Sequence, residues 1–233
     1  MSEEPPRKRM VRPPTSGGEG RAESARLKTA WGRTSSSQQW LERQINDPYV
    51  QRAKAEGWRS RAAYKLIEID DRFRLIRRGS RVVDLGAAPG GWVQVALKRG
   101  AGAVAGVDLL EIDPIPGSTL LQADFTDEGV GDQLLEALGG APDLVLSDMA
   151  QNTVGHKQTD HLKIVALIEA AVDFTVDHLQ PGGAFVTKAF QGGATGELLD
   201  RLKREFAEVK HVKPKASRAD SSEVYLVATG RKG

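Results

Sequence analysis

Four charged residues lie at positions where an ionised side chain is costly unless it has a partner or a task. Lys65 follows an apolar and aromatic stretch, Asp148 ends a second apolar run, Lys188 interrupts a third and Glu223 opens a fourth. A buried charge is tolerated when it is paired. If the fold brings these residues together, they form a mixed-charge cluster that could hold a polar substrate and move a proton.

A glycine-rich loop stands where doubly wound proteins bind ligands. The strand-like run 82–85 leads into Gly86-Ala87-Ala88-Pro89-Gly90-Gly91, and a helical pattern follows from Trp92. Glycines allow a tight turn and let a ligand reach the backbone. The dinucleotide fingerprint would need glycine at Ala88, and no Gly-Lys-Ser/Thr follows for a P-loop. The loop therefore disfavours a nicotinamide dehydrogenase. A glycine loop of this kind together with the charged cluster indicates group transfer on a nucleic acid.

Acidic residues end the next predicted strands. Asp108 lies 24 positions after Asp84, where a carboxylate can accept hydrogen bonds from ribose hydroxyls. Asp124 ends a third strand and could reach an adenine amino group. This pattern suits a nucleoside ligand that lacks pyrophosphate and carries a positive charge, and S-adenosylmethionine fits that description. The alternative is that the glycines only shape a turn and the aspartates cap the elements that follow them.

Hydrophobic periodicity predicts the elements that must position these groups. Helices are predicted at 38–44, at 49–56 and from a Ser60 cap to Phe73, and from residue 81 strands and helices alternate. This alternation predicts an α/β protein with a doubly wound, mostly parallel sheet. The short polar connector 215–222 predicts an antiparallel last strand. The strands are predicted at 81–85, 103–108, 118–121, 143–147, 184–190, 207–213 and 223–229, and the further helices at 90–99, 127–138, 160–178 and 195–206.

Composition excludes several classes of protein and reveals a charge asymmetry. The 233 residues include no cysteine, which excludes disulfides, thiolate metal sites and cysteine nucleophiles. The four histidines show no ligand-like spacing, so no metal site is predicted. No run is long enough for a membrane span, and we expect a cytoplasmic protein. Through Lys65 there are 14 basic and 7 acidic residues, whereas the remainder has 19 basic and 24 acidic residues. We expect residues 1–34 to form a disordered basic tail.

The chain resembles the RrmJ/FtsJ family of S-adenosylmethionine-dependent RNA ribose 2′-O-methyltransferases. The resemblance covers residue 35 to the end and keeps the order of the motifs. They are the segments from Ser60 to Leu66, from Asp84 to Trp92, from Ser147 to Ala150, from Pro181 to Lys188 and from Ser217 to Tyr225, with the closing stretch 227–232. One departure is visible, since Gln151 stands where the family usually has proline. The resemblance is greatest to the bacterial branch that modifies one uridine of 23S ribosomal RNA.

The resemblance implies a fold, a site and a partner. The fold would be the Rossmann-like class I methyltransferase fold, a seven-stranded, mostly parallel sheet with an antiparallel last strand and helices on both faces. The methyltransferase domain would span 35–233, with RNA-facing helices in 35–78. The substrate would be 23S rRNA within the large ribosomal subunit, and we expect a monomer. The implied catalytic residues are Lys65, Asp148, Lys188 and Glu223, and the implied cofactor contacts are Gly90, Trp92, Asp108, Asp124 and Asp148.

The sequence is compatible with two catalytic roles for Lys188. This lysine either accepts the proton of the ribose 2′-hydroxyl or orients that hydroxyl. Burial and the nearby Lys65 favour a neutral amine, whereas Asp148 and Glu223 favour the ammonium form. The four residues could instead be structural ion pairs.

Other functions and the mode of RNA binding also stay open. The chain could methylate transfer RNA or an mRNA cap, or could be a non-catalytic ribosome-assembly factor on the same fold. Trp40, Trp58 and Tyr64 could stack on bases, although helix packing is their more common role. The basic residues that could face phosphates are Arg43, Arg52, Lys54, Arg59 and Arg61, extended by Lys210, Lys213, Lys215 and Arg218.

Overall fold

A computed structural model describes residues 41–42, 44–149, 157–190, 196–218 and 221–233. The chain divides into two units, Met1–Asn46 and Asp47–Gly233. In the first unit, residues 41–42 and 44–46 are helical, which agrees with part of the predicted helix 38–44. The predicted tail 1–34 and the first residues of that helix lie outside the described residues.

Within the described part of the second unit, seven strands form one sheet. The strands are β1 (Arg81–Leu85), β2 (Ala103–Asp108), β3 (Ser118–Gln122), β4 (Leu144–Ser147), β5 (Ala184–Phe190), β6 (Phe206–Val212) and β7 (Glu223–Arg231). Their order in the sheet is β3-β2-β1-β4-β5-β7-β6. The neighbours in the series β3-β2-β1-β4-β5 pair in parallel, and β7 runs antiparallel to both β5 and β6. This confirms the mostly parallel sheet with an antiparallel last strand.

Helices cover both faces of the sheet because alternate residues of each strand point to opposite sides. The described helices of this unit are α1 (Pro48–Glu56), α2 (Ala63–Phe73), α3 (Gly91–Lys98), α4 (Val130–Leu138), α5 (Lys157–His178) and α6 (Gly196–Glu205). Val82 packs in an apolar cluster with residues of α2 and α3, whereas Val83 packs in a second cluster with residues of α4, α5 and α6. No helix of the described ranges is long and apolar enough to cross a membrane.

The starts of the first two helices differ in how they are capped. Asp47 caps α1, since its Oδ1 accepts a hydrogen bond from the Tyr49 backbone N–H at 3.0 Å. The predicted Ser60 cap of α2 is wrong. The helix begins only at Ala63, its first turn has no side-chain cap, and Ser60 Oγ is buried without a hydrogen-bond partner among the described residues. An intervening turn at residues 61–62 separates Ser60 from the helix.

One edge of the sheet collects the charged residues singled out in the sequence. Asp108 ends β2 and Asp148 follows β4, both at carboxyl ends of parallel strands. Lys188 lies near the end of β5, directly opposite Tyr225 in the β5–β7 register. Because β7 is antiparallel, its first residue, Glu223, comes to the same edge.

Candidate active site

The glycine loop between β1 and α3 packs tightly against the segment that follows β4. Gly86 has a φ of 81°, and a Cβ atom there would lie 2.8 Å from the Met149 Cα. The backbone N–H groups of Gly86 and Ala87 both donate to the Val107 carbonyl, at 2.9 and 3.1 Å. Glycine is therefore required at position 86 by both its conformation and its surroundings.

Arg59 joins the glycine loop to the loop after β2. Its guanidinium donates to the Pro89 carbonyl at 3.2 Å, to the Asp113 carbonyl at 2.6 Å and to the Pro114 carbonyl at 3.0 Å. Gly90 lies beside this contact with a φ of 104°, and a Cβ there would come within 3.1 Å of Arg59 Nη1. Arg59 thus fixes two loops that border the predicted ligand site.

The carboxylates of Asp108 and Asp124 both accept two hydrogen bonds, and one of those to Asp108 comes from the glycine loop. Asp108 accepts from the Ala88 N–H and the Leu110 N–H, each at 2.9 Å. Asp124 Oδ1 accepts from the hydroxyl and the N–H of Thr126, at 2.7 and 2.9 Å. These bonds, the hydroxyl first, lower the pKa of Asp124. Both residues lie at the predicted edge, and their contacts to a cofactor remain predictions.

Asp84 is a further acidic group at this edge, which sequence reasoning did not assign to the site. Its side chain is fully buried in β1, and neither carboxyl oxygen has a hydrogen-bond partner in the described part of the chain. Burial and then the charges of Asp148 and Asp108 raise its pKa well above the usual range. An unpaired buried carboxyl group beside a glycine loop suits a ligand that brings a positive charge or a hydrogen-bond donor. The signal in the sequence was an acid within an otherwise apolar strand.

The four charged residues meet in one cluster, as the sequence predicted. Lys188 Nζ lies 3.0 Å from Asp148 Oδ1 and donates to the Asp148 carbonyl oxygen at 2.7 Å. Lys65 Nζ lies 2.8 Å from Glu223 Oε1 and 2.9 Å from Oε2. The cluster is thus built from two ion pairs, both largely shielded from solvent.

Tyr225 links the two ion pairs, and sequence reasoning missed this role. Its hydroxyl accepts from Lys65 Nζ at 3.1 Å and donates to Asp148 Oδ1 at 2.8 Å. Burial and then the charges of Asp148 and Glu223 raise the pKa of Tyr225 well above its ordinary value, so the phenol stays protonated. Its position two residues after Glu223 on β7 was the available signal, because both side chains leave the strand on the same face.

Asp148 is held as a carboxylate despite its burial. Burial alone would raise its pKa, but the charges of Lys188 and Lys65 and the hydrogen bond from Tyr225 outweigh this and lower it. The site therefore contains a fixed negative charge between two lysines and beside the glycine loop. Positions 150–156, including Gln151, lie outside the described residues.

The loop before β7 holds Glu223 in place. Ser217 Oγ donates to Glu223 Oε1 at 2.8 Å. This loop is anchored by Glu68 on α2, whose carboxylate accepts from the backbone N–H groups of Lys215 and Ala216 at 2.6 and 3.0 Å. Arg61 also holds it, by donating to the Ala216 carbonyl. Ser217 and Glu68 are positioning residues that the sequence did not reveal.

Several residues predicted to touch RNA or cofactor have contacts inside the fold. The Arg61 guanidinium pairs with Asp47, and Arg52 pairs with Glu56 at 2.7 Å. The Trp92 indole is buried and donates to the Ala62 carbonyl at 2.8 Å, so a cofactor contact from Trp92 would come from its backbone. Arg43 lies outside the described residues.

The aromatic candidates also pack within the protein. Tyr64 is buried with its ring centroid 5.5 Å from that of Tyr49. Lys98 Nζ lies 4.6 Å from the Trp58 ring centroid, so one face of this indole is covered. Trp40 lies outside the described residues. Among the described residues, no three His, Asp or Glu side chains are grouped to hold a metal ion.

A family model and two relatives identify the family of the chain. A family model described as FtsJ-like methyltransferase matches residues 58–231. The chain is 62% identical over 225 residues to a ribosomal RNA large subunit methyltransferase E of Caulobacter vibrioides, covering 96% of this chain and 100% of that protein. It is 62% identical over 213 residues to a protein of the same name from Acidiphilium cryptum, covering 91% of this chain and 95% of that protein.

A solved structure supports the same assignment. A crystal structure from Plasmodium falciparum, described as a ribosomal RNA methyltransferase, matches with a TM-score of 0.67 and 32% identity. The match covers 76% of this chain and 100% of that one. The chain therefore belongs to the FtsJ-like methyltransferase family, and its reaction moves a methyl group from a donor to an acceptor.

Proposed function

We propose that the chain transfers the methyl group of S-adenosylmethionine to the 2′-hydroxyl of a uridine ribose in 23S rRNA, within the assembled large ribosomal subunit. The observation that carries this proposal is the continuous run of contacts from Lys65 through Tyr225 and Asp148 to Lys188, beside the glycine loop. The names of the Caulobacter and Acidiphilium relatives support a large-subunit rRNA substrate.

The donor would be held by the loops at the carboxyl edge of the sheet. S-adenosylmethionine, when bound, supplies a methyl group that is already activated by its sulfonium charge. The carboxylate of Asp148 offers negative charge to a cationic ligand, and the unpaired carboxyl of Asp84 offers a hydrogen-bond acceptor beside it. The loop of Gly90 offers backbone contacts, and Asp108 and Asp124 retain free lone pairs for ribose and base.

Lys188 would position the acceptor hydroxyl and take its proton. Two contacts to Asp148 fix the Lys188 nitrogen, and an ammonium has three N–H groups, so one remains for the substrate. In its neutral form the same nitrogen can accept the hydroxyl proton. A positioned base contributes typically about 10²–10⁴-fold to a rate. Alignment of the reacting groups contributes roughly 7–11 kcal/mol.

The other members of the cluster would hold Asp148 and the ribose in fixed positions. Tyr225 stays a phenol and donates to Asp148, which leaves that carboxylate less freedom to rotate. Lys65 donates a hydrogen bond to Glu223, and Glu223 accepts a second one from Ser217. We assign Lys65 and Glu223 to the binding of the ribose.

The decisive experiment maps ribose methylation in 23S rRNA by mass spectrometry. Cells that lack the gene are complemented with the parent chain, with Lys188→Ala or with Lys203→Ala, which alters an exposed lysine of α6. We expect one uridine to lose its methyl group without the gene, and to regain it with the parent and with Lys203→Ala only. Unchanged methylation of 23S rRNA in the deleted strain would refute the proposal.

In vitro substrates separate the alternatives. Methyl transfer to intact large subunits, free 23S rRNA, tRNA and capped RNA is compared with one preparation of enzyme. We expect intact subunits to be modified fastest. Preferred modification of tRNA or a cap would assign a different substrate to the same chemistry. Failure to bind S-adenosylmethionine by calorimetry would favour the non-catalytic assembly factor.

A further inference from the structure

A groove lined with arginines lies at the edge of the sheet opposite the candidate active site. Its volume is about 570 Å³, and its walls include the segment between α2 and β1, the turn before β5 and the outer end of β7. These are amino ends of the parallel strands, whereas the catalytic cluster lies at their carboxyl ends. Helix α2 connects the two regions, with Lys65 in its first turn and Arg72 in its last. Seven residues of helix correspond to roughly 10 Å along its axis.

The groove carries uncompensated positive charge. Arg72, Arg74, Arg77 and Arg78 line it and are all exposed. None of the four forms an ion pair with an acidic group of the described ranges. The acidic residues in the walls are engaged elsewhere, because Asp143 accepts from the Arg81 N–H at 2.8 Å and Glu208 lies 2.7 Å from Lys210 Nζ.

The arginines are displayed on a fixed segment of backbone. Leu75 and Ile76 between them are buried in the core, and the Ile76 N–H donates to buried Asp70 Oδ1 at 2.8 Å. Arg74 caps the end of α2 with a φ of 51°, and it is the one non-glycine residue with positive φ in the described ranges. Glycine is favoured at this helix position, so an arginine here is kept at a conformational cost.

We propose that this arginine groove is a second RNA-binding site, which takes the phosphodiester backbone of the substrate away from the reacting ribose. Guanidinium groups bind phosphate oxygens in pairs, and four of them on a rigid edge form a polyanion site. The proposal rests on the proposed function, since a large folded RNA can reach both edges of the sheet while a small acceptor cannot. The groove adds affinity for RNA and takes no part in the methyl transfer step.

The test compares Arg77→Gln/Arg78→Gln with a matched control, Lys203→Gln/Arg204→Gln, which removes the same charge from exposed positions of α6. Binding of naked 23S rRNA is measured against salt concentration. Each phosphate contact contributes about 0.7–0.9 to the magnitude of the slope of log K against log salt. The Arg77→Gln/Arg78→Gln protein, the groove variant, lacks two such contacts, so the magnitude of its slope should fall by about 1.4–1.8. The control should keep the parent slope. Arg77→Lys/Arg78→Lys keeps the charge and should recover most of the slope.

Enzyme kinetics separate this proposal from the proposed function. The groove variant should raise KM for the large subunit about tenfold, because two phosphate contacts are lost, and leave kcat and methyl-donor affinity unchanged. Equal RNA affinity and equal salt slope in the groove variant and the control would overturn the proposal. Loss of binding to ribosomal subunits with unchanged binding to naked rRNA would also overturn it, since the groove would then bind a protein. Parent enzyme that binds rRNA through the groove but methylates another RNA would overturn only the proposed function.

Discussion

Asp84 is a carboxyl group that the fold buries at the ligand edge without a partner among the described residues. Its pKa is raised by burial, then by Asp148 and Asp108. A carboxyl with a raised folded pKa stabilises the fold below its unfolded pKa of about 3.9, and this contribution is lost as pH rises towards the folded pKa. We therefore expect Asp84→Asn to be more stable than the parent at pH 7, with a difference that shrinks towards pH 4. Urea unfolding across this range measures the difference.

The same substitution should weaken binding of the proposed sulfonium ligand. An amide has the shape of the carboxyl group but cannot ionise when a cation binds beside it. We expect methyl-donor affinity, measured by calorimetry, to fall while the protein becomes more stable at neutral pH. A variant that gains stability and binds the donor as tightly as the parent would remove Asp84 from the ligand site.

Lys188 can be assigned a single role by two substitutions. Lys188→Ala should lower methyl transfer by about 10²–10⁴-fold if the residue acts as a base, with little change in donor binding. Lys188→Arg keeps a cation that can orient the hydroxyl but cannot accept a proton near neutral pH. Tritiated-methyl incorporation is compared for both variants and for Lys203→Ala. Substantial activity of Lys188→Arg would show that orientation is the main task of Lys188.

At the residue scale, the sequence revealed which charged residues are buried at the site better than it revealed which residues bridge them. A charge that interrupts an apolar run was a sufficient signal for Lys188 and Asp148, because burial of an unpaired charge is costly. The same signal was present at Asp84. Tyr225 is apolar enough to be expected in a strand core. Its spacing from Glu223 indicates the same face of the strand, and the register of β7 against β5 then places its hydroxyl beside the cluster.

At the scale of elements, Arg59 determines how two loops meet. Its three hydrogen bonds to backbone carbonyls connect the glycine loop with the loop at 113–114. A lysine has a single ammonium group and cannot reproduce this fork. We expect Arg59→Lys to raise KM for the methyl donor several-fold with a smaller change in kcat. Steady-state kinetics with varied donor and with varied RNA measure the effect, and an increase confined to the KM for RNA would contradict this positioning role.

Most elements could be predicted because their apolar periodicity is strong, as in β1, β2 and α4. The order of the strands could not be read from the sequence, since β7 inserts between β5 and β6 and its position depends on long-range pairing. The failed Ser60 cap has a similar cause. A serine before a helical pattern favours a cap locally, but the turn at residues 61–62 delays the helix.

At the scale of the whole molecule, one sheet presents different chemistry at its two edges. The carboxyl edge carries mostly acidic groups for a cationic cofactor, together with the two lysines of the cluster. The amino edge carries the arginine groove. This arrangement separates donor binding from the proposed RNA backbone contact, so substitutions in the arginine groove should leave the affinity for the methyl donor unchanged. The charge asymmetry of the sequence was only a partial signal, because arginines such as Arg61 are used to hold loops.

Ligand binding across the carboxyl edge should stabilise the entire second unit. The predicted cofactor residues lie at or just after the carboxyl ends of β1, β2, β3 and β4. A bound nucleoside would therefore contact the ends of four strands at once. A ligand at 100 times its Kd adds about 2.7 kcal/mol to the free energy of unfolding. For a chain of this size each kcal/mol raises Tm by about 2–4 °C, so we expect S-adenosylhomocysteine to raise Tm by about 5–11 °C. Calorimetric unfolding measures this shift, and NAD⁺ serves as the control ligand because the loop lacks the dinucleotide fingerprint. A shift with NAD⁺ and none with S-adenosylhomocysteine would contradict the proposed cofactor.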